Sequence, residues 1–419
     1  MLSLFQLIAA LLTVTAVFAY INHRVLRLPA SIGLLVMGLG ASLLLIGIDL
    51  LFPRTQLYAA LAGTIRQIDF YDTVMNGMLA FLLFAGALHV DLGRLRNRAL
   101  GVGLLATIGV VMSMFLVATG LWLAAGLLGL ELGFAWALVF GALIAPTDPV
   151  AVLSTLKAVN VPHALETDMA GESLFNDGIG VVLFTIALQA ALGSGDDSFE
   201  AAHLAELVLV EAGGGAVLGL VAGFIAYRGL RGIDDYSIEV MISVALVTGT
   251  YALATALHMS GPIAVVVAGV LIGNRGAERA MSDTTKQYVF GFWTLIDDIL
   301  NAVLFLLIGL EVLVVQFTPS FGWLALLSIP LVVAARFVSV SVPILALRRW
   351  QTFTPGTIPV LTWGAVRGGI SVALALSLPT EEPARALILD ATYGVVLFSV
   401  VVQGLSLGAV VRRTVPTAS

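Results

Sequence analysis

The chain has 419 residues, 59% of them hydrophobic and only 11% charged, with a formal net charge of −6. A soluble domain carries about 25% charged residues, and no soluble core could hide this much apolar sequence, so the solvent must be a bilayer. There is no cysteine and there are only five scattered histidines, which excludes disulfides, thiol catalysis and cysteine-bound metal and argues against a zinc cluster. No cofactor and no nucleic acid partner is expected.

A helix needs about 20 apolar residues to cross a bilayer. Hydropathy and turn signals place about thirteen spans, at roughly 3–21, 29–48, 71–90, 100–125, 134–156, 168–192, 204–227, 237–257, 261–273, 289–315, 321–346, 357–378 and 386–410. The first is read as a span rather than a signal peptide, because it lacks a basic leading region and a clear small-x-small cleavage site. The semi-polar stretch around 50–70 is expected to hold a short interfacial helix. The fold class is therefore an all-α polytopic membrane protein.

Charge placement orients it. Of the 20 Lys and Arg residues, Arg54, Arg66 and Arg385 fall in loops after even-numbered spans, and Arg336 and Arg367 fall inside spans. The rest follow odd-numbered spans, as Arg24, Arg94, Lys157 and Arg348 do, or sit at the C-terminus with Arg412 and Arg413. Cytoplasmic loops carry the basic excess, so the N-terminus is expected outside and the C-terminus in the cytoplasm.

A faint internal echo joins residues 81–90 in span 3 to 305–312 in span 10. Polar breaks at Thr147-Asp148 in span 5 and Arg367-Gly368-Gly369 in span 12 are also seven spans apart. An odd offset inverts one half relative to the other. That is the inverted-repeat plan of secondary transporters, with broken helices meeting near the midplane. Two inverted six-helix repeats, with spans 5 and 12 broken and crossing, are the expected architecture.

The break in span 5 reads Pro146-Thr147-Asp148-Pro149. Each proline removes a backbone donor, and bare backbone at membrane depth is tolerated only beside protein or a water-filled cavity. A freed carbonyl, the Thr147 hydroxyl and the Asp148 carboxylate make an oxygen set suited to a small hard cation.

Span 6 carries Glu172-Ser173-Leu174-Phe175-Asn176-Asp177. An acid at membrane depth usually marks an ion or proton pathway. Ser173 and Asp177 share one helical face, and Glu172 and Asn176 a neighbouring one. The first face is assigned to the Thr147 break and the second to a structural partner. That partner is an arginine, Arg336 or Arg367, since each stays charged inside the membrane and needs an anion. Asp177 is then left without a fixed partner, able to hold a proton or a metal ion in turn. The glycine-rich run around Arg367 is expected to break its helix.

Weaker signals are Ser260-Gly261-Pro262 as a span start, Asp297, Asp298 and Asn301 along a cytoplasmic route, His89 and Asp91 at a span end, and a solvated outer loop with Asp196, Asp197 and Glu200. A cation channel would conduct without proton coupling, and an intramembrane aspartyl hydrolase would need a catalytic dyad. One unpaired acid between two helix breaks fits a transporter better than either.

These motifs, with Val366-Arg367-Gly368-Gly369 and the stretch from Trp293 to Leu310, resemble the monovalent cation:proton antiporters of the NhaP type, relatives of the animal sodium/proton exchangers. The resemblance implies exchange of sodium, with lithium or potassium as alternatives, for a proton by alternating access in a homodimer. It implies core transport helices in 99–195 and 319–413 and interface helices in 1–98 and 196–318. Asp177 would bind the cation and the proton, with Asp148, Thr147, Ser173 and Asn176 around it. Asn176, where electrogenic relatives carry a second Asp, implies electroneutral exchange. The resemblance favours Arg336 over Arg367 as the partner of Glu172. Many relatives carry a glutamate in span 3 where this chain has Ala85. A prokaryotic plasma membrane is the expected location.

Overall fold

Inside a bilayer no water is available to backbone N–H and C=O groups, so each apolar segment must close its hydrogen bonds within a helix. The computed structural model describes residues 3–52, 62, 63, 65, 68–148, 152, 156, 159, 161–193, 209–313 and 322–415, and every regular element among them is helical. In chain order these are α1 (Phe5–Leu26), α2 (Ala30–Leu51), α3 (Phe70–Leu88), α4 (Leu92–Leu127), α5 (Phe134–Ile144), α6 (His163–Ala191), α7 (Leu209–Leu230) and α8 (Tyr236–Ala256). There follow α9 (Gly261–Leu271), α10 (Asp283–Glu311), α11 (Gly322–Leu347), α12 (Thr357–Trp363), α13 (Gly369–Leu376) and α14 (Ala384–Thr414). Among the described residues, 10 helices are long and apolar enough to cross a membrane. Pro149, Lys157, Arg54, Arg66, Asp196, Asp197, Glu200 and most of the 50–70 segment lie outside the described residues.

Several helices start earlier than their apolar runs, because capping side chains recruit a polar first turn. Asp91 accepts the Arg94 N–H at 3.0 Å, so α4 begins at Leu92 rather than near 100. Ser282 accepts from Thr285 at 3.3 Å and starts α10 ahead of its apolar stretch. Ser260 does the same for α9 with Pro262 in its first turn, and α3 ends at Leu88 just before His89 and Asp91.

Packing sorts the helices into two sets. α4, α5, α6, α11, α12, α13 and α14 pack on one another, and α1, α2, α3, α7, α8, α9 and α10 form the other set. The sets meet where α6 touches α3, α7 and α9, where α13 touches α3 and α10, and where α14 touches α2. Large apolar side chains such as Val217, Leu220 and Phe224 on α7 are exposed, as lipid-facing residues must be.

Within the second set α3 packs on α10. Trp293 stacks on Phe81 and meets the tilted ring of Phe84, with centroids 6.0 and 4.6 Å apart, and donates its indole N–H to Ser243 of α8 at 2.9 Å. Helices α2 and α10 approach through glycine, because apolar lipid offers no hydrophobic drive and close backbone packing must supply the attraction. Ser42 donates to the Gly309 carbonyl at 2.9 Å. A Cβ on Gly309 would lie 2.8 Å from both the Leu35 carbonyl and the Leu39 nitrogen.

Gly309→Val should therefore push α2 away and cost about 1–3 kcal/mol, seen as a lower melting temperature of the purified protein. Gly40→Ala, where a Cβ meets nothing within 4 Å, is the matched control and should melt no lower than the parent.

Candidate functional site

The site starts from two interrupted helices. Helix α5 stops at Ile144 and residues 145–148 leave helical geometry, as expected of prolines at 146 and 149, which cannot donate to the turn before them. Position 149 is where the Ala145 carbonyl would find its helical donor, and proline has none to give. Helices α12 and α13 are separated at Gly364–Gly368, with Gly368 extended at φ −115°, ψ −157°.

The two interruptions satisfy each other. The Asp148 N–H donates to the Val366 carbonyl at 2.7 Å. The Arg367 guanidinium donates through Nη1 to the carbonyls of Ala145 (2.6 Å) and Pro146 (2.8 Å). Its backbone N–H is held by Ser399 at 3.0 Å. Gly368 is required here, because a Cβ would run into the Asp148 carboxylate.

Helix α6 packs on α5 and presents a polar stripe. Ser173, Asn176 and Asp177 are spaced i, i+3, i+4 and so share a face. Asn176 donates to the Thr147 hydroxyl at 2.8 Å and accepts the Thr147 N–H at 3.4 Å. Ser173 lies 3.2 Å from the same hydroxyl and bonds the Thr147 carbonyl. Asn176 therefore faces the break, not the structural partner to which its spacing from Glu172 assigned it. Residues four apart share a face only to within about 40°, and here Glu172 and Asn176 meet different neighbours, Arg336 and Thr147.

Glu172 meets Arg336 of α11. Nη1 lies 2.6 Å from Oε1, and Nη2 donates to Oε2 at 2.7 Å. The pair is buried, and Arg336 Nε also reaches the Leu361 carbonyl at 3.3 Å. Arg367 is occupied at the α5 break instead.

A cavity of about 480 Å³ runs along the seam between the two helix sets. Its rim carries His89, Glu166 and the exposed pair Asp91–Arg94. Its depth is lined by Thr147, Asp148, Asp177, Asp297 and Asn301, and the exposed Asp298 also lines it. Ser173 and Asn176 do not line it, since they stand behind Thr147. Asp177 is 7% exposed and forms no ion pair within 4 Å among the described residues. Its main electrostatic neighbours are Asp148 and Arg367. Ala85 lines the cavity too, so α3 contributes no carboxylate there. His89 sits one turn on, its Nδ1 2.8 Å from the Ala85 carbonyl.

Among the described residues, four buried acids were missed in the sequence: Asp168, Glu239, Glu311 and Asp390. Asp168, fully buried, pairs with Arg98 of α4, which also donates to the Thr352 carbonyl at 2.6 Å and lies over the Phe353 ring. The signal was its spacing, one turn before Glu172 on the same helix.

The sodium/hydrogen exchanger transmembrane family matches residues 12–413. The Na(+)/H(+) antiporter NhaP of Pseudomonas aeruginosa is 47% identical over 413 residues, spanning 97% of this chain and 96% of its own. The Na(+)/H(+) antiporter NhaH of Halobacillus dabanensis is 37% identical over 354 residues, 82% of this chain and 83% of its own. The sodium proton antiporter MjNhaP1 of Methanocaldococcus jannaschii shares the fold, with a TM-score of 0.74 over 98% of this chain and 99% of that one at 21% identity.

Glu172→Gln should strand the buried Arg336 charge and cost about 3–5 kcal/mol, read as a large drop in melting temperature. Combining it with Arg336→Met should recover most of that loss. A single variant that melts like the parent would show that the pair does not hold α6 to α11.

Proposed function

The chain belongs to the sodium/hydrogen exchanger family, and we propose that it exchanges sodium for protons by alternating access, with Asp177 as the carboxylate both ions share. One observation carries this reading. On α6, Glu172 is neutralised by Arg336, while Asp177 lines the cavity with no guanidinium within 4 Å among the described residues. A carboxylate so placed holds a proton or a cation, one at a time, and that competition is all the chemistry that exchange requires.

The Asp148 carboxylate and the Thr147 hydroxyl line the same depth, a hard oxygen set that suits sodium or lithium. Ser173 and Asn176 support it by fixing Thr147. Asn176 has no proton to exchange, so the α6 stripe offers one titratable carboxyl, which favours electroneutral one-for-one transport.

The moving core in this reading is α4–α6 with α11–α14, and α1–α3 with α7–α10 form the interface of a homodimer. The division into two packing sets supports it. The basic excess after odd-numbered spans puts the N-terminus outside, the C-terminus inside and the Asp91–Arg94 rim of the cavity on the cytoplasmic face. A bacterial plasma membrane suits the bacterial relatives.

The test is collapse of an imposed pH gradient in proteoliposomes on addition of sodium, lithium or potassium. The parent protein should respond to sodium. Asp177→Asn should respond to none of the three while keeping its melting temperature, and preserved exchange would remove Asp177 from the mechanism. A response to potassium alone would reassign the ion.

Asn176→Asp adds a second carboxyl beside Thr147. It should change the pH dependence of exchange and make the rate respond to membrane potential. An unaltered pH profile would place residue 176 outside the titrating site.

A further inference from the structure

Beyond the floor of the cavity stands a buried acid with no counter-charge among the described residues. Glu311 ends α10 and is 6% exposed. Among the described residues it forms no ion pair. An acid in that setting is costly and by default marks an ion path.

Helix geometry fixes where it points. Gly309 faces the α2 backbone, and two residues on, Glu311 is turned about 200° away from it. Leu304, seven residues earlier and about 20° off that direction, packs where a Cβ on Gly369 of α13 would collide and lines the cavity. Asp297, seven residues earlier again, lies within the cavity. One face of α10 thus carries Asp297, Leu304 and Glu311 in a line, spaced about 10 Å apart, along the seam between the two helix sets. Leu304, 3% exposed, stands between the two acids.

The opposite wall also carries polar groups. Tyr393 of α14 is fully buried and is an electrostatic neighbour of Glu311. Asp390, 3% exposed and three residues earlier, shares its face of α14. Arg385, at the head of α14, is turned to the carbonyls of Leu376 and Leu378. Ser371 of α13 lines the cavity, and its hydroxyl is buried without a hydrogen-bond partner.

We propose that Glu311 is the relay carboxylate of the opposite half-path. When the core set shifts past Leu304, the monovalent cation or proton held by Asp177 reaches the far face by way of Glu311, which sets the apparent affinity there. The relay rests on the exchange reading above.

The test uses membrane vesicles of both orientations containing the full chain, with sodium added to either face. Glu311→Gln should raise the apparent KM for sodium about tenfold at the face opposite the Asp91–Arg94 rim and leave it unchanged at the rim face. Glu311→Asp should restore most of the affinity. Tyr393→Phe, which keeps the volume, should shift the same KM in the same direction by less. Equal shifts at both faces, no shift at either, or a Glu311→Gln protein that no longer folds would each overturn the relay. Asp177→Asn run in parallel separates the two ideas. If it still exchanges sodium, the shared-carboxylate reading fails; if it is silent while Glu311→Gln shows no face-specific shift, the relay alone falls.

Discussion

Backbone groups freed at membrane depth need partners from the protein, because the surrounding lipid has none to give. Around residues 145–148 that need is met chiefly by one side chain. Arg367 donates to the carbonyls of Ala145 and Pro146, and the carbonyl of the preceding Val366 accepts the Asp148 N–H. Each interruption is stable only because the other lies against it. Removing either would leave unsatisfied groups in the interior, each costing several kcal/mol in a hydrocarbon setting.

From that mutual support the rest of the site follows. With α5 unwound, Thr147 is free to be gripped by Ser173 and Asn176, and Asp148 is aimed along the Gly368 surface, which has no side chain to obstruct it. The polar stripe of α6 is thereby held at a set height against the break. One turn of the same helix carries both a neutralised acid and an unneutralised one. Burial of a paired charge and burial of an exchangeable charge are different problems, and Arg336 solves the first without touching the second.

The contacts across the seam between the two helix sets are made chiefly by α6 and α13, with close glycine approaches of Gly178 to Ile263 and Gly369 to Leu304, while that of Gly38 to Gly309 lies within one set. The cavity opens along this seam and ends near Leu304 and Gly369, so an apolar plug, rather than an ion pair, separates its depth from the Glu311 side. An apolar plug can part and close without stranding a charge.

Composition, apolar periodicity and the two polar breaks were enough to determine a polytopic helical chain and the segments that interrupt it, because in lipid the backbone has almost no alternative to helix. Helix starts were less legible. Caps at Asp91 and Ser282 extend α4 and α10 into polar sequence that hydropathy does not see. The i, i+3, i+4 stripe of Ser173, Asn176 and Asp177 was readable from spacing, but the i, i+4 relation of Glu172 to Asn176 misled, since partners on other helices decide between neighbouring faces. The residues alone left Glu172 between Arg336 and Arg367. Only the packed structure separated them, by bringing Arg367 to carbonyls that no helix could satisfy and Arg336 to the remaining acid. Asp168 and Glu311 escaped notice for the same reason: a lone acid in a sequence has no address until distant helices are packed around it, as Arg98 of α4 is around Asp168.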